Sequence, residues 1–206
     1  MAITQIGTGE VRDYHISDDA GIQRDKLEQR TLATIGIPFT DLRVWDALAT
    51  DIPGTPANDD LGLVTGATFG TNAPYVGTGD LKAAGATSRR ASCFVPVPHD
   101  FETGATLLLS VWAGMLTTVS DTTATVDVEA YRLDKDGTYG AADLVTTAAT
   151  TINVIGPLEK QFTIDTATLV AGDLLHVRIT VAIHDAATAT AVIGQIAAID
   201  LRADLR

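Results

Sequence analysis

From Ile35 onward, apolar and polar residues alternate with a period of two, the repeat of a strand with one face against a core. Thr123–Leu133 sets Ala124, Val126, Val128 and Ala130 against Thr125, Asp127, Glu129 and Tyr131. Leu174–His184 sets Leu175, Val177, Ile179, Val181 and Ile183 against His176, Arg178, Thr180 and His184. Asp41–Asp46 alternates over a shorter span, with Leu42 and Val44 opposed to Arg43 and Trp45. Leu61–Thr65, Tyr75–Thr78 and Arg89–Val97 read as further strands; Pro96-Val97-Pro98 suits an edge or a strand end. Thr106–Leu116 is apolar on both faces, as a central strand would be. Glu159–Ile164 places Phe162 and Ile164 on one face. Thr190–Leu201 groups Ile193, Ala197, Ile199 and Leu201 against a face holding Gly194 and Asp200. Asp134-Lys135-Asp136-Gly137 predicts a hairpin turn, its glycine supplying the positive φ. About eight strands at this turn-punctuated spacing, with no long helical pattern, predict an all-β fold. The expected architecture is an antiparallel β-sandwich of jelly-roll type.

The first 35 residues differ. Ile3, Ile6, Val11 and Ile16 stand apart among glycine and polar residues, too sparse to close a core. Ser17-Asp18-Asp19 can cap a short helix over Ile22–Arg30. The chain is therefore divided into an extended N-terminal arm containing a short helix, 1–35, and a sandwich domain, 36–206. The arm is either a disordered terminus or a segment lying along a neighbouring subunit.

Composition supports the β reading. Thirty Ala and thirty Thr dominate, and 21 of the 26 acids are Asp, a poor helix former, against five Glu. The net charge of −12 disfavours nucleic acid and anionic membranes, which require clustered Lys and Arg. Met1–Asp13 has neither the basic nor the apolar region of a signal peptide, and the apolar run around Leu107–Leu116 is too short to span a bilayer. Synthesis in a cytoplasm is expected. Cys93 is the only cysteine, so no intrachain disulfide can form; in Ser92-Cys93-Phe94-Val95 it reads as a small buried hydrophobe.

Catalytic patterns are missing from the sequence. There is no Gly-x-Ser-x-Gly elbow, no Walker-type loop, and Gly7-Thr8-Gly9 and Gly77-Thr78-Gly79 are ordinary turns. His176 and His184 share a strand face but stand ~27 Å apart at ~3.4 Å per residue, too far for a shared metal or proton relay. Asn58-Asp59-Asp60 and Asp134–Gly137 each have oxygens that could bind Ca²⁺, but the second has Arg132 where a calcium loop would begin and no acid to close it, and both read as turns, which Asp and Asn favour. No enzyme activity, cofactor or metal is expected. Trp45 and Trp112 fall on the less apolar parity of their strands and, with Tyr75, Tyr131 and Tyr139, are candidates for a sugar platform, although a Trp on an outer face more often packs under a loop or at a subunit contact.

Leu169-Val170-Ala171-Gly172-Asp173-Leu174-Leu175, the long strand after it, the tip Asp185–Thr190 and the closing strand to Arg206 resemble the end of phage virion jelly rolls. With the loop Gly54–Leu63 and the hairpin Asp121–Val128, the chain resembles cement (decoration) proteins of tailed-phage capsids across residues 32–206. That resemblance implies a virion protein on the capsid exterior, a homotrimer bridging hexamers of the major capsid protein. No catalytic residue carries over. The partner-binding residues expected are Ile3, Ile6, Val11 and Ile16 of the arm, with Trp45 and Trp112. The competing reading is a carbohydrate- or receptor-binding jelly roll of a fibre or tail.

Overall fold

The computed structural model describes residues 32–66, 68, 70–82, 85–117, 123–185 and 190–205. They form two antiparallel sheets face to face. In chain order the strands are β1 (Leu32–Gly36), β2 (Arg43–Val44), β3 (Ala47–Asp51), β4 (Gly62–Val64), β5 (Tyr75–Gly77), β6 (Ala86–Pro96) and β7 (Leu107–Met115). They continue with β8 (Thr123–Leu133), β9 (Thr150–Thr151), β10 (Leu158–Thr163), β11 (Leu174–His184) and β12 (Gly194–Asp204). Sheet I runs β10-β7-β12-β5-β4, and β1 also pairs with β12; sheet II runs β3-β2-β6-β11-β8-β9.

The pairing is nested. β5 pairs with β12, β6 with β11, β7 with β10 and β8 with β9. A ribbon of strands β5–β8 laid against β9–β12 has thus been rolled up, and rolling brings β7 beside β12 and β8 beside β11. This is the jelly roll expected from the strand spacing. β5 covers only Gln195 and Ile196 of the outer edge of β12, and β1 takes the rest, from Gly36 opposite Asp200 to Leu32 opposite Asp204. β1 thus falls at the end of the segment expected as an arm. The remainder of that segment, residues 1–31, with the helix expected at Ile22–Arg30, lies outside the described residues.

One core lies between the sheets. It takes Cys93 and Val95 from β6, Leu109 and Val111 from β7, Val126 and Val128 from β8, Phe162 from β10, and Val177 and Ile179 from β11. Each buried Leu, Ile or Phe contributes about 1.5–3 kcal/mol. In β12 the alternation breaks. The register shifts between Ile196 and Ala198, where one extra residue is inserted, so Ile196 and Ile199 both face the core and Ala197 is exposed. The expected grouping of Ile193 and Ala197 with Ile199 and Leu201 is corrected by this bulge, which resets the parity.

The turn entering β11 is fastened to both neighbouring strands. Asp173 is fully buried, and its Oδ2 accepts from the Val170 amide at 3.0 Å and lies 2.8 Å from Arg132 Nε of β8. Val97, just past β6, donates its amide to the Asp173 carbonyl and accepts from Gly172. Replacing Asp173 with Ala removes an ion-paired carboxylate and leaves the Val170 amide and Arg132 short of a partner. Asp173→Ala is expected to lower stability by about 2–3 kcal/mol, read as a lower urea midpoint at unchanged m value.

Candidate functional site

Strand parity decides what the outer face of sheet II offers. With Leu175, Val177 and Ile179 committed to the core, His176, Arg178 and Thr180 of β11 face outward. The register sets Phe94, Ser92 and Arg90 of β6 against these on one side, and Tyr131, Glu129 and Asp127 of β8 on the other. The outer face therefore carries an aromatic row, Phe94–His176–Tyr131, and beside it the ion-paired Arg178 and Glu129. Phe94 stacks on His176 with ring centroids 4.7 Å apart. After the Asp134–Gly137 turn, Tyr139 returns over the same histidine, its hydroxyl bonded to His176 Nδ1 and its ring edge-on at 5.7 Å. Phe94 remains 40% exposed and Tyr139 48%.

Trp45 flanks this face. It sits in the turn between β2 and β3, past the strand on which the sequence placed it. Its Nε1 donates to Asp59 Oδ2 at 2.9 Å, and the guanidiniums of Arg90 and Arg178 lie 5.2 and 5.3 Å from its ring centroid, within cation–π range. Asp59 also pairs with Arg90 at 3.2 Å, so its role here is to hold the indole. Burial raises the Asp127 carboxyl above its usual range, and Glu129 and Asp143 add to the rise. Burial lowers the basicity of His176, as does the nearby Arg178.

A second surface lies at the edge of sheet I. The sequence has no Asp, Glu, Lys or Arg between Glu102 and Asp121, between Asp143 and Glu159, or between Asp185 and Asp200. The fold brings described parts of all three runs together. Met115 donates its amide to Val154 and accepts from Gly156, while Leu116 donates to the carbonyl of Ile193. The 154–158 loop can lie there because residue 114 is glycine: a Cβ on Gly114 would meet the Gly156 carbonyl oxygen at 1.9 Å. The loop and the start of β10 present Ile155, 61% exposed, and Leu158, 52% exposed, with Val154 and Leu116 also exposed. Trp112, 36% exposed, lies on the outer face of sheet I opposite Glu159 and Ala198. Glu159 is held by Ser110 at 2.7 Å, Gln161 at 3.2 Å and Arg202 at 2.7 Å; the Ser110 and Gln161 hydrogen bonds, with Arg202, keep its carboxyl below the usual range.

The structure separates the expected partner-binding residues. Trp45 belongs to the outer face of sheet II and Trp112 to that of sheet I; Ile3, Ile6, Val11 and Ile16 lie outside the described residues. The sequence reading includes Tyr131 and Tyr139 among its candidate rings but misses Phe94 and the Ile155–Leu158 edge. The three charge-free runs were the available signal for the edge. Among the described residues no group of three or more His, Cys, Asp or Glu is arranged to hold a metal ion. The Asp134–Gly137 acids serve their own turn, Asp136 accepting from the Thr138 amide and Asp134 from that of Lys135.

Two measurements check these environments. Cys93 is buried, and burial pushes its thiol up to about 12, so a thiol reagent at pH 8 is expected to react only as fast as the protein unfolds. His176 binds a proton less readily folded than unfolded. As pH falls below about 6.5, the unfolded chain takes up that proton first, so stability falls with pH from there down to the lower folded value. His176→Gln is expected to flatten the fall in urea midpoint between pH 7 and pH 5.

No protein-family model matches the chain. A search of curated proteins also finds no match. Among solved structures, the CBM22-1 xylan-binding domain of Paenibacillus barcinonensis Xyn10C is similar at 10% identity, over 84% of this chain and 99% of that one, TM-score 0.39. The xylan-binding module CBM15 is similar at 12% identity, over 85% and 99%, TM-score 0.35. The infectious bursal disease virus Gx strain structure is similar at 12% identity, over 74% and 39%, TM-score 0.34. The jelly-roll assignment rests on the nested strand pairing.

Proposed function

We propose that the protein is a non-catalytic structural component of a virion, a cement protein on the exterior of a tailed-phage capsid. It works by adding contacts: copies associate, as a trimer, and bridge capsomers of the major capsid protein. The observation that carries this reading is the uncharged apolar edge formed by Leu116, Val154, Ile155 and Leu158 in a chain of net charge −12. Acidic molecules repel one another at long range, so close association favours a surface free of charge. Exposed apolar patches rimmed by polar surface mark association sites, and a stable contact buries more than ~1,000 Å² in total. β1 lies at the opposite edge of sheet I from β10, and in this reading Ile3, Ile6, Val11 and Ile16, which precede it in the sequence, add further apolar contacts.

The test uses the full chain and particles purified from infected cells. The protein is expected in those particles, and capsids stripped of it are expected to lose integrity at a lower temperature than decorated ones. The double variant Ile155→Asp, Leu158→Asp changes exposed residues, so it should fold, elute as a smaller species by light scattering, and rebind stripped capsids at least tenfold more weakly. Absence from purified particles, or equal heat resistance of stripped and decorated capsids, would overturn the reading.

A further inference from the structure

We infer that the outer face of sheet II is a binding surface for a neutral saccharide, a role beyond cementing and carried by a different face. Recognition of a pyranose combines two kinds of group. Flat apolar rings cover the C–H faces of the sugar, and polar groups fixed at their rim bind its hydroxyls. Both are present. Phe94 and Tyr139 expose rings on either side of His176, which both of them contact. Two residues further along β11, about 7 Å away at ~3.4 Å per residue, Arg178 and Glu129 hold each other. Asp127 follows on β8.

Charge on this face selects the ligand class. Arg90 is paired with Asp59, Arg178 with Glu129 and Arg43 with Asp51, so every arginine named on this face already has its carboxylate. A phosphate, sulfate or uronate would have to break one of these pairs and approach Asp127. An apolar peptide or helix would cover the ion pairs without compensating them, and burying charge without new partners is costly. A neutral polyol does neither: its hydroxyls donate to Glu129 and Asp127 and accept from Arg178. The rings stay in place without ligand because Tyr139 is anchored through its hydroxyl to His176 Nδ1 and Phe94 is stacked on that imidazole. Such preorganisation lowers the ordering cost of binding.

The experiment is an array of neutral gluco-, xylo-, manno- and galacto-oligosaccharides beside sialylated, sulfated and uronate glycans, probed with the full chain and followed by titration calorimetry. At least one neutral series is expected to be retained. Phe94→Leu keeps the apolar bulk but removes the flat ring and should weaken binding at least tenfold, whereas Phe94→Tyr should restore it. Tyr139→Ala and Asp127→Asn should each weaken it at least fivefold, and Thr163→Ala, at an exposed position on the other sheet, should leave it unchanged. Unaltered thermal melts establish that each variant folds. Retention of no neutral glycan, retention of anionic glycans alone, or equal binding by Phe94→Leu and the parent would overturn the inference. A change of oligomeric state in Phe94→Leu without loss of glycan binding would assign the face to a second copy and overturn it as well. Capsid rebinding by the Ile155, Leu158 variant tests the cementing role separately, so failure of one leaves the other standing.

Discussion

β11 is hydrogen-bonded on both sides along its whole length, Leu174–His184, to β6 and to β8. Because side chains alternate with a period of two, a slip of one residue would carry His176 and Arg178 into the core and Val177 and Ile179 out of it. Burying Arg178 without Glu129 would cost several kcal/mol, and exposing five aliphatic side chains would add to that. Two full-length registers on one strand therefore fix three strands at once. The turn at Asp173 starts the strand at the right residue, since it ties Val170 within the turn, Val97 just past β6 and Arg132 on β8.

The same constraint decides where function can reside. Inward positions of β6, β8 and β11 are spent on the core, which leaves outer faces, edges and loops for recognition. The outer face of sheet II is assembled across three strands far apart in sequence, from Phe94, His176 and Tyr131, and is finished by Tyr139 from a turn. The edge of sheet I is assembled differently. There the 154–158 loop folds over Gly114, an approach that any side chain at that position would block. Sheet edges offer unpaired backbone groups, and Lys160, half-buried within β10, is the kind of residue that discourages indiscriminate strand pairing.

Much of this architecture was legible in the sequence because long, half-buried strands advertise themselves. Thr123–Leu133 and Leu174–His184 have the bounds their alternation predicts, and β7 starts and ends one residue inside Thr106–Leu116. Alternation gives the start of β12 the wrong parity, since a period of two has no means of marking the extra residue between Ile196 and Ala198. β1 and β9 are too short and too exposed to leave a pattern. The alternation of Leu42 and Val44 runs up to Trp45 and so predicts a strand there, although the chain turns at that point. The site was less legible than the fold. Phe94 is exposed by simple alternation with Cys93 and Val95, but its stacking on His176 depends on pairing between strands some eighty residues apart in sequence.

The two surfaces also divide the chemistry of an acidic chain in a physically consistent way. At the edge, sequence runs without charge are gathered so that apolar area meets solvent with little like-charge repulsion, a design suited to extensive, non-directional contact. On the outer face of sheet II, charge is retained but neutralised locally, Arg90 by Asp59 and Arg178 by Glu129, which keeps directional donors and acceptors beside exposed rings. A surface of the first kind gains from area and tolerates sliding; one of the second gains from geometry and does not. Trp45 shows how tightly that geometry is held: one indole is bonded to Asp59 and lies beside the guanidiniums of both arginines, so moving the β2–β3 turn would disturb both ion pairs together.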